Sequence, residues 1–285
     1  MSLLKQLRVK GWIIVAIPVS FGFLINGLRG FDLNFCALVL SMFLVNAFFY
    51  VYNDFEDAPY DKEDDFKKKR NVFCGEDPQK KRIGMVTIIA SPVLSVLLGL
   101  LVSVEWAIFA LGLVVLGFLY SSPLFRAKER PVWDWIFHVI WLAMMVVPGY
   151  LYFFQADELF FFIWTILATN SLIAQINNEI ADFEVDSLVG HRTTTIILGK
   201  KTTFYIRWTL EFFLVGLVVW LTLRYKFYGV LTVIIPTFLY FLWVERIRAL
   251  DKIESIGDHI QTRLTYFTFL WGFVAILEGF AKRLF

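Results

Sequence analysis

Apolar segments long enough to cross a bilayer fill most of this 285-residue sequence, and no other feature narrows its folding as far. A helix needs about 20 apolar residues to span the hydrocarbon core, where every backbone polar group must find its partner inside the segment. Nine windows have that length, near 11–28, 33–53, 83–103, 105–122, 133–153, 157–179, 204–223, 228–244 and 264–284. Several abut with almost no linker, as at Ser103-Val104-Glu105. Charged residues make up only 18% of the chain, against about a quarter in a soluble domain. The deficit is surface that faces lipid. The expected fold is all-α, a polytopic membrane protein of nine transmembrane helices in a single domain over residues 1–285.

Lys and Arg orient such a bundle, because they collect on the cytoplasmic side. With the N-terminus inside, the tail, the 54–82 loop, the 123–132 loop, the 180–207 region and the 245–263 loop hold 22 of 27. Arg29, Arg224, Lys226, Lys282 and Arg283 fall on the other side. That split supports nine spans in a cytoplasmic or inner membrane, with the long, polar loops at the cytoplasmic face. The basic start before Gly11 resembles a signal peptide, but no small-residue cleavage site follows, so it reads as the flank of the first span. The 245–263 stretch reads as a short interfacial helix, either a solvated connector or a lid. A net charge of +2 excludes the basic face of a nucleic-acid binder. Cys36 and Cys74 lie at different depths, so a disulfide is not expected, and neither has zinc-ligand spacing. No obligate protein partner is evident.

Two segments carry the chemistry. The second span closes in VYNDFEDAPYDKEDD, where Asn53, Asp57 and Asp61 recur every four residues. The sixth closes in QINNEIADFEVDSLVGHRTT, where Asn178, Asp182 and Asp186 repeat that register 125 residues later, on the same membrane face. On a helix each such step turns about 40° and climbs about 6 Å, which makes a polar stripe. Pro59 disfavours helical geometry at Ala58 and predicts a bend before Asp61. Carboxylates and amide oxygens are hard ligands suited to Mg²⁺, which keeps waters and takes phosphate as co-ligand. Two facing ladders could hold Mg²⁺ ions around one diphosphate and help a neighbouring C–O bond to break. A solvated helix end would explain one such cluster; its recurrence argues for a shared ligand.

Basic residues accompany both ladders: Lys67, Lys68, Lys69 and Arg70 after the first, His191 and Arg192 after the second. YSSPLFRAKERP, between the fourth and fifth spans, adds Tyr120, Arg126 and Lys128. They are suitable donors to diphosphate oxygens, although topogenesis alone also gathers them. His138 reads as a helix-packing residue. Thirty-one Phe, 11 Tyr and 10 Trp could shelter a carbocation, but lipid-facing surface and interfacial belts account for most of them. A divalent-cation transporter or channel is the alternative, and it needs polar groups across mid-membrane, where the spans offer few: Glu211 and Glu278 are the obvious candidates, toward the non-cytoplasmic halves or near helix ends.

NDFEDAPYD, from Asn53 to Asp61, resembles the first N-D-x-x-D-x-x-x-D signature of the UbiA superfamily of intramembrane prenyltransferases, and the stretch ending in Asp182 and Asp186 resembles its second. YSSPLFRAK is similar to the family's Y-S-x-P-x-x-R-x-K, and GHRTTTIILGKK to the segment after the second motif. The resemblance implies Mg²⁺-dependent transfer of a prenyl group from an allylic prenyl diphosphate to an aromatic or lipid acceptor, inside membrane lipid. It implies metal ligation by Asn53, Asp57, Asp61, Asp182 and Asp186. Asp54, Asp57, Asp182 and Lys128 would be catalytic, and Asn53, Arg70, Tyr120, Arg126, Asn178 and Arg192 would contact the diphosphate. One departure is visible: where many members continue Pro-x-Pro-Ser-Gly after Arg70, this chain reads Asn71-Val72-Phe73-Cys74-Gly75.

Overall fold

The computed structural model describes residues 9–26, 29–62, 68 and 71–226. Among the described residues the regular structure is helical throughout. The helices run α1 (Val9–Ile25), α2 (Leu33–Asp61), α3 (Pro78–Val102), α4 (Val104–Ser121), a 3₁₀ turn (Ala127–Glu129), α5 (Trp133–Met144), α6 (Val146–Leu151), α7 (Glu158–Val189), α8 (Thr194–Leu198) and α9 (Lys200–Tyr225). Among the described residues, six segments are long and apolar enough to cross a membrane: Leu33–Asp61, Pro78–Val102, Val104–Ser121, Trp133–Leu151, Glu158–Glu184 and Lys200–Tyr225. The 17-residue α1 adds the window expected first. The windows at 228–244 and 264–284, the 245–263 loop, and Lys67, Lys69 and Arg70 lie outside the described residues.

Helix starts follow from caps. Asp32 accepts the Phe35 N–H at 2.8 Å to open α2, and that bond holds its carboxyl below the usual range. Asp77, followed by Pro78, opens α3 by accepting the Gln79 and Lys80 N–H groups. Ser103 both closes α3 and opens α4, which lets two spans follow with one residue between them. Asp157 accepts the Phe160 N–H at 2.9 Å to open α7.

Two prolines act differently from one another. α2 continues as helix through Pro59 to Asp61, so the bend expected before Asp61 does not end the helix. A proline this near the C-terminus frees only the Phe55 carbonyl, in a turn whose later carbonyls lack helical partners anyway. Pro148 coincides with a break at Met145, three residues before it, that splits the single helix expected over 133–153 into α5 and α6.

α2 is the most buried of the crossing segments. Its Met42, Val45 and Phe49 pack with Ala110, Leu113 and Tyr120 of α4, Phe137 and Trp141 of α5, and Met145. Phe49 stacks on Tyr120 at 5.1 Å and on Trp141 at 4.1 Å. α1 and α6 cross almost backbone to backbone: a Cβ on Gly22 would lie 1.8 Å from the Gly149 carbonyl oxygen, the close approach small residues permit in membranes. The outer face of α3, with Ile89, Val93, Leu97 and Leu101 exposed, is apolar as a lipid-facing stripe requires.

Candidate active site

The first ladder runs along the last turns of α2. Asp57 Oδ2 accepts from Asn53 Nδ2 at 3.0 Å. Its other oxygen meets the Lys128 ammonium directly and lies 3.5 Å from Arg126 Nη2. Asn53 Oδ1 accepts from Lys128 at 3.1 Å and from Ser121 Oγ at 2.9 Å. The 3₁₀ turn Ala127–Glu129 delivers these cations, and left-handed residues flank it, Arg126 at φ 49° and Val132 at φ 71°. Such conformations are costly for side-chain-bearing residues and persist where the surroundings hold them. Burial pushes the Lys128 ammonium below the usual lysine range, while Asp57 beside it pulls the other way.

The second ladder, Asn178, Asp182 and Asp186, lies on α7, which ends in a left-handed Gly190 at φ 78°. That turn carries His191 back over the helix end, with Nδ1 3.3 Å from Asp186 Oδ1. His191 Nε2 then lies 3.2 Å from Glu129 Oε1, and Arg126 Nε lies 2.6 Å from the same oxygen. Contacts therefore run from Asp57 through Arg126, Glu129 and His191 to Asp186. Tyr60 caps this run, with its ring 5.6 Å from His191 and 4.9 Å from the Arg126 guanidinium. The two ladders converge on one turn.

The structure thus brings Asn53, Asp57, Arg126 and Lys128 into direct contact, and joins Asp186 to them through His191. Asp61 is reached from the other side by Asn71 at 2.9 Å. Asp54 is buried, and Asn178 and Asp182 are half-buried. Tyr120 is buried in the aromatic layer against Phe49, while its neighbour Ser121 bonds Asn53. Arg192 is exposed, and Arg70 lies outside the described residues. His138 shares two hydrogen bonds with Ser171, as a packing residue does. Cys36 and Cys74 are free. Glu211, one of the acids considered for a cation channel, lies 3.6 Å from Arg207.

Sequence reading passed over Glu129, Asn71, Ser121 and a buried network behind the second ladder. There Glu179 accepts from Trp135 Nε1 at 3.0 Å, Gln175 at 2.8 Å, and the Thr195 N–H and hydroxyl at 3.1 and 2.7 Å. Asp134 accepts from the Thr194 N–H at 2.6 Å and from its hydroxyl. These bonds tie the Thr193–Thr195 turn, and with it the His191 loop, to α5 and α7. The available signal was energetic: two acids inside apolar windows require partners.

Among the described residues, no three His, Cys, Asp or Glu side chains converge closely enough to hold an ion unaided. The ladders nonetheless offer the hard oxygen donors that Mg²⁺ takes when a phosphate completes its shell. The residues fit that ion with a diphosphate, and would fit a zinc-like cage poorly.

Fold and site together define a polytopic helical membrane protein with acids and bases gathered at one end of its bundle. The sequence model of the UbiA prenyltransferase family matches residues 15–256, and the chain belongs to that family. Among solved structures, a UbiA homolog from Archaeoglobus fulgidus bound to GPP and Mg²⁺ shares the fold at TM-score 0.74 and 20% identity, over 98% of each chain. The same homolog bound to DMAPP and Mg²⁺ aligns at TM-score 0.73 and 20% identity, over 98% of this chain and 97% of that one. A structure concerning digeranylgeranylglyceryl phosphate synthase aligns at TM-score 0.68 and 18% identity, covering 98% and 97%. No curated protein sequence matches the chain. By family the protein is a prenyltransferase.

Proposed function

We propose that this protein moves a prenyl group from an allylic prenyl diphosphate to a lipophilic or aromatic acceptor, using Mg²⁺. The observation that carries the reading is the unbroken run of contacts from Asp57 to Asp186, which supports reading the two ladders as walls of one anion site. The Archaeoglobus fulgidus structures, bound to GPP or DMAPP with Mg²⁺, support the same class of donor.

Asn53, Asp57, Asp61, Asp182 and Asp186 would hold Mg²⁺, with Asp54 buried behind them. The ion, when bound, offsets charge on the departing diphosphate. In the protein alone, Lys128 and Arg126 hold Asp57. On substrate binding they exchange that carboxylate for diphosphate oxygens, and the charge-assisted bonds strengthen as negative charge grows on the leaving group. Arg192, Asn178 and Arg70 extend the same donor set, with Tyr120 at its base. The layer of Phe49, Tyr120 and Trp141 next to Asn53 gives the allylic end aromatic faces and excludes water, which would otherwise quench the cation. An acceptor hydroxyl or electron-rich ring carbon forms the new bond to the prenyl C1 as the C–O bond breaks, and then releases a proton. The excess of Lys and Arg at this end supports a cytoplasmic orientation for it.

The test is incubation of the purified protein with a panel of prenyl diphosphates and acceptors in Mg²⁺, reading product mass and released diphosphate. Prenylated product is expected. Mg²⁺ flux through liposomes in place of diphosphate release would overturn the reading in favour of a channel.

A further inference from the structure

The Asn71-Val72-Phe73-Cys74 segment, where the chain leaves the family pattern, is docked against the end of α2. Asn71 is 3% exposed. Its Nδ2 donates to the Asp54 carbonyl at 2.6 Å and to Asp61 Oδ2 at 2.9 Å, while its Oδ1 accepts the Phe73 N–H at 2.9 Å. Both amide hydrogens are thereby used. The neighbours wedge the segment in place. The Phe73 ring meets Phe55 edge-on at 5.2 Å and fills a notch at Gly84, where a Cβ would lie 2.5 Å from it. The Cys74 thiol donates to the Ala58 carbonyl at 3.4 Å.

Asp61 needs such outside support. It is the last residue of α2, two places beyond Pro59, at the end of the helix least held by its own hydrogen bonds. We propose that Asn71 is a positioning residue that clamps Asp61 Oδ2 and so orients the carboxylate toward the Mg²⁺–diphosphate. This inference rests on the metal reading of the ladders given above. Donors behind ligating carboxylates are worth about 10- to 100-fold in metal affinity or activity.

The experiment measures retention, by purified protein, of a radiolabelled, unreactive geranyl thiodiphosphate as Mg²⁺ is varied. Asn71→Leu keeps the volume and removes both donors; Asn71→Ala serves if the larger side chain disturbs folding, which thermal unfolding reports. The Mg²⁺ concentration for half-maximal retention is expected to rise about 10-fold, with full retention recovered at high Mg²⁺. Asp61→Ala should raise it as well, and adding Asn71→Leu to that variant should raise it no further. A folded Asn71 variant with unchanged Mg²⁺ requirement, beside an impaired Asp61→Ala, overturns the role of Asn71 alone. An Asp61→Ala protein with unchanged requirement overturns the metal reading of Asp61, and this inference with it.

Discussion

Glu129 Oε1 stands 3.2 Å from His191 Nε2, and across that contact two acid ladders distant in sequence are linked. Glu129 also holds Arg126 at 2.6 Å, so one carboxylate meets a basic side chain from each side. The 3₁₀ turn that carries it is the hinge pin of the polar end: it supplies Lys128 and Arg126 to the first ladder and meets the second through His191.

The coupling across that contact is measurable. Glu129→Gln and His191→Asn should each lower turnover, and the double variant should fall short of the sum by about 0.5–3 kcal/mol, as residues in one network do. A double-mutant cycle on kcat/KM for the prenyl diphosphate checks this. Strict additivity would mean the contact carries no functional coupling.

The ladders themselves carry the heaviest load. Asp57→Ala and Asp182→Ala should each reduce prenyl transfer by about 100-fold or more, the scale on which a positioned electrostatic group acts. Membrane insertion and purification should be retained, and chelation of Mg²⁺ should reproduce the loss reversibly. Full activity in either variant, read as product mass, would remove that residue from the metal site.

Glu179 is predicted to be structural. Replacing it with Leu leaves the Thr195 N–H and hydroxyl, Trp135 Nε1 and the Gln175 amide without their acceptor. At about 1–3 kcal/mol per buried donor the loss should exceed about 3 kcal/mol. Thermal unfolding in detergent should show a marked drop, with Glu179→Gln intermediate.

Asn46 presents the opposite case. It is 1% exposed on the inner face of α2, and among the described residues neither polar atom of its side chain has a hydrogen-bond partner. Asn46→Leu, of similar volume, should therefore raise stability by about 1 kcal/mol, since an apolar side chain removes an unmet requirement. A lowered melting temperature would contradict this.

What was legible in the sequence was whatever depends on short-range regularity. Bilayer thickness sets span length, so seven of the nine expected windows fall on described helices. Helical period sets the ladders, so Asn53, Asp57 and Asp61 share α2, and Asn178, Asp182 and Asp186 share α7. The outcome at the prolines depended on more than propensity: α2 runs on through Pro59, and α1 and α3 through Pro18 and Pro92, whereas the helix breaks at Met145, ahead of Pro148. Pairings across the chain were invisible for a simpler reason. Lys128 and Asp57 stand 71 residues apart, and Thr195 and Glu179 belong to different helices. No local pattern records which loop folds back over which helix end. By itself the sequence determined a lipid-embedded helical bundle with two matching acid stripes. Only the tertiary structure decided that one strained turn joins them, because their meeting depends on how the helices pack and where each loop returns.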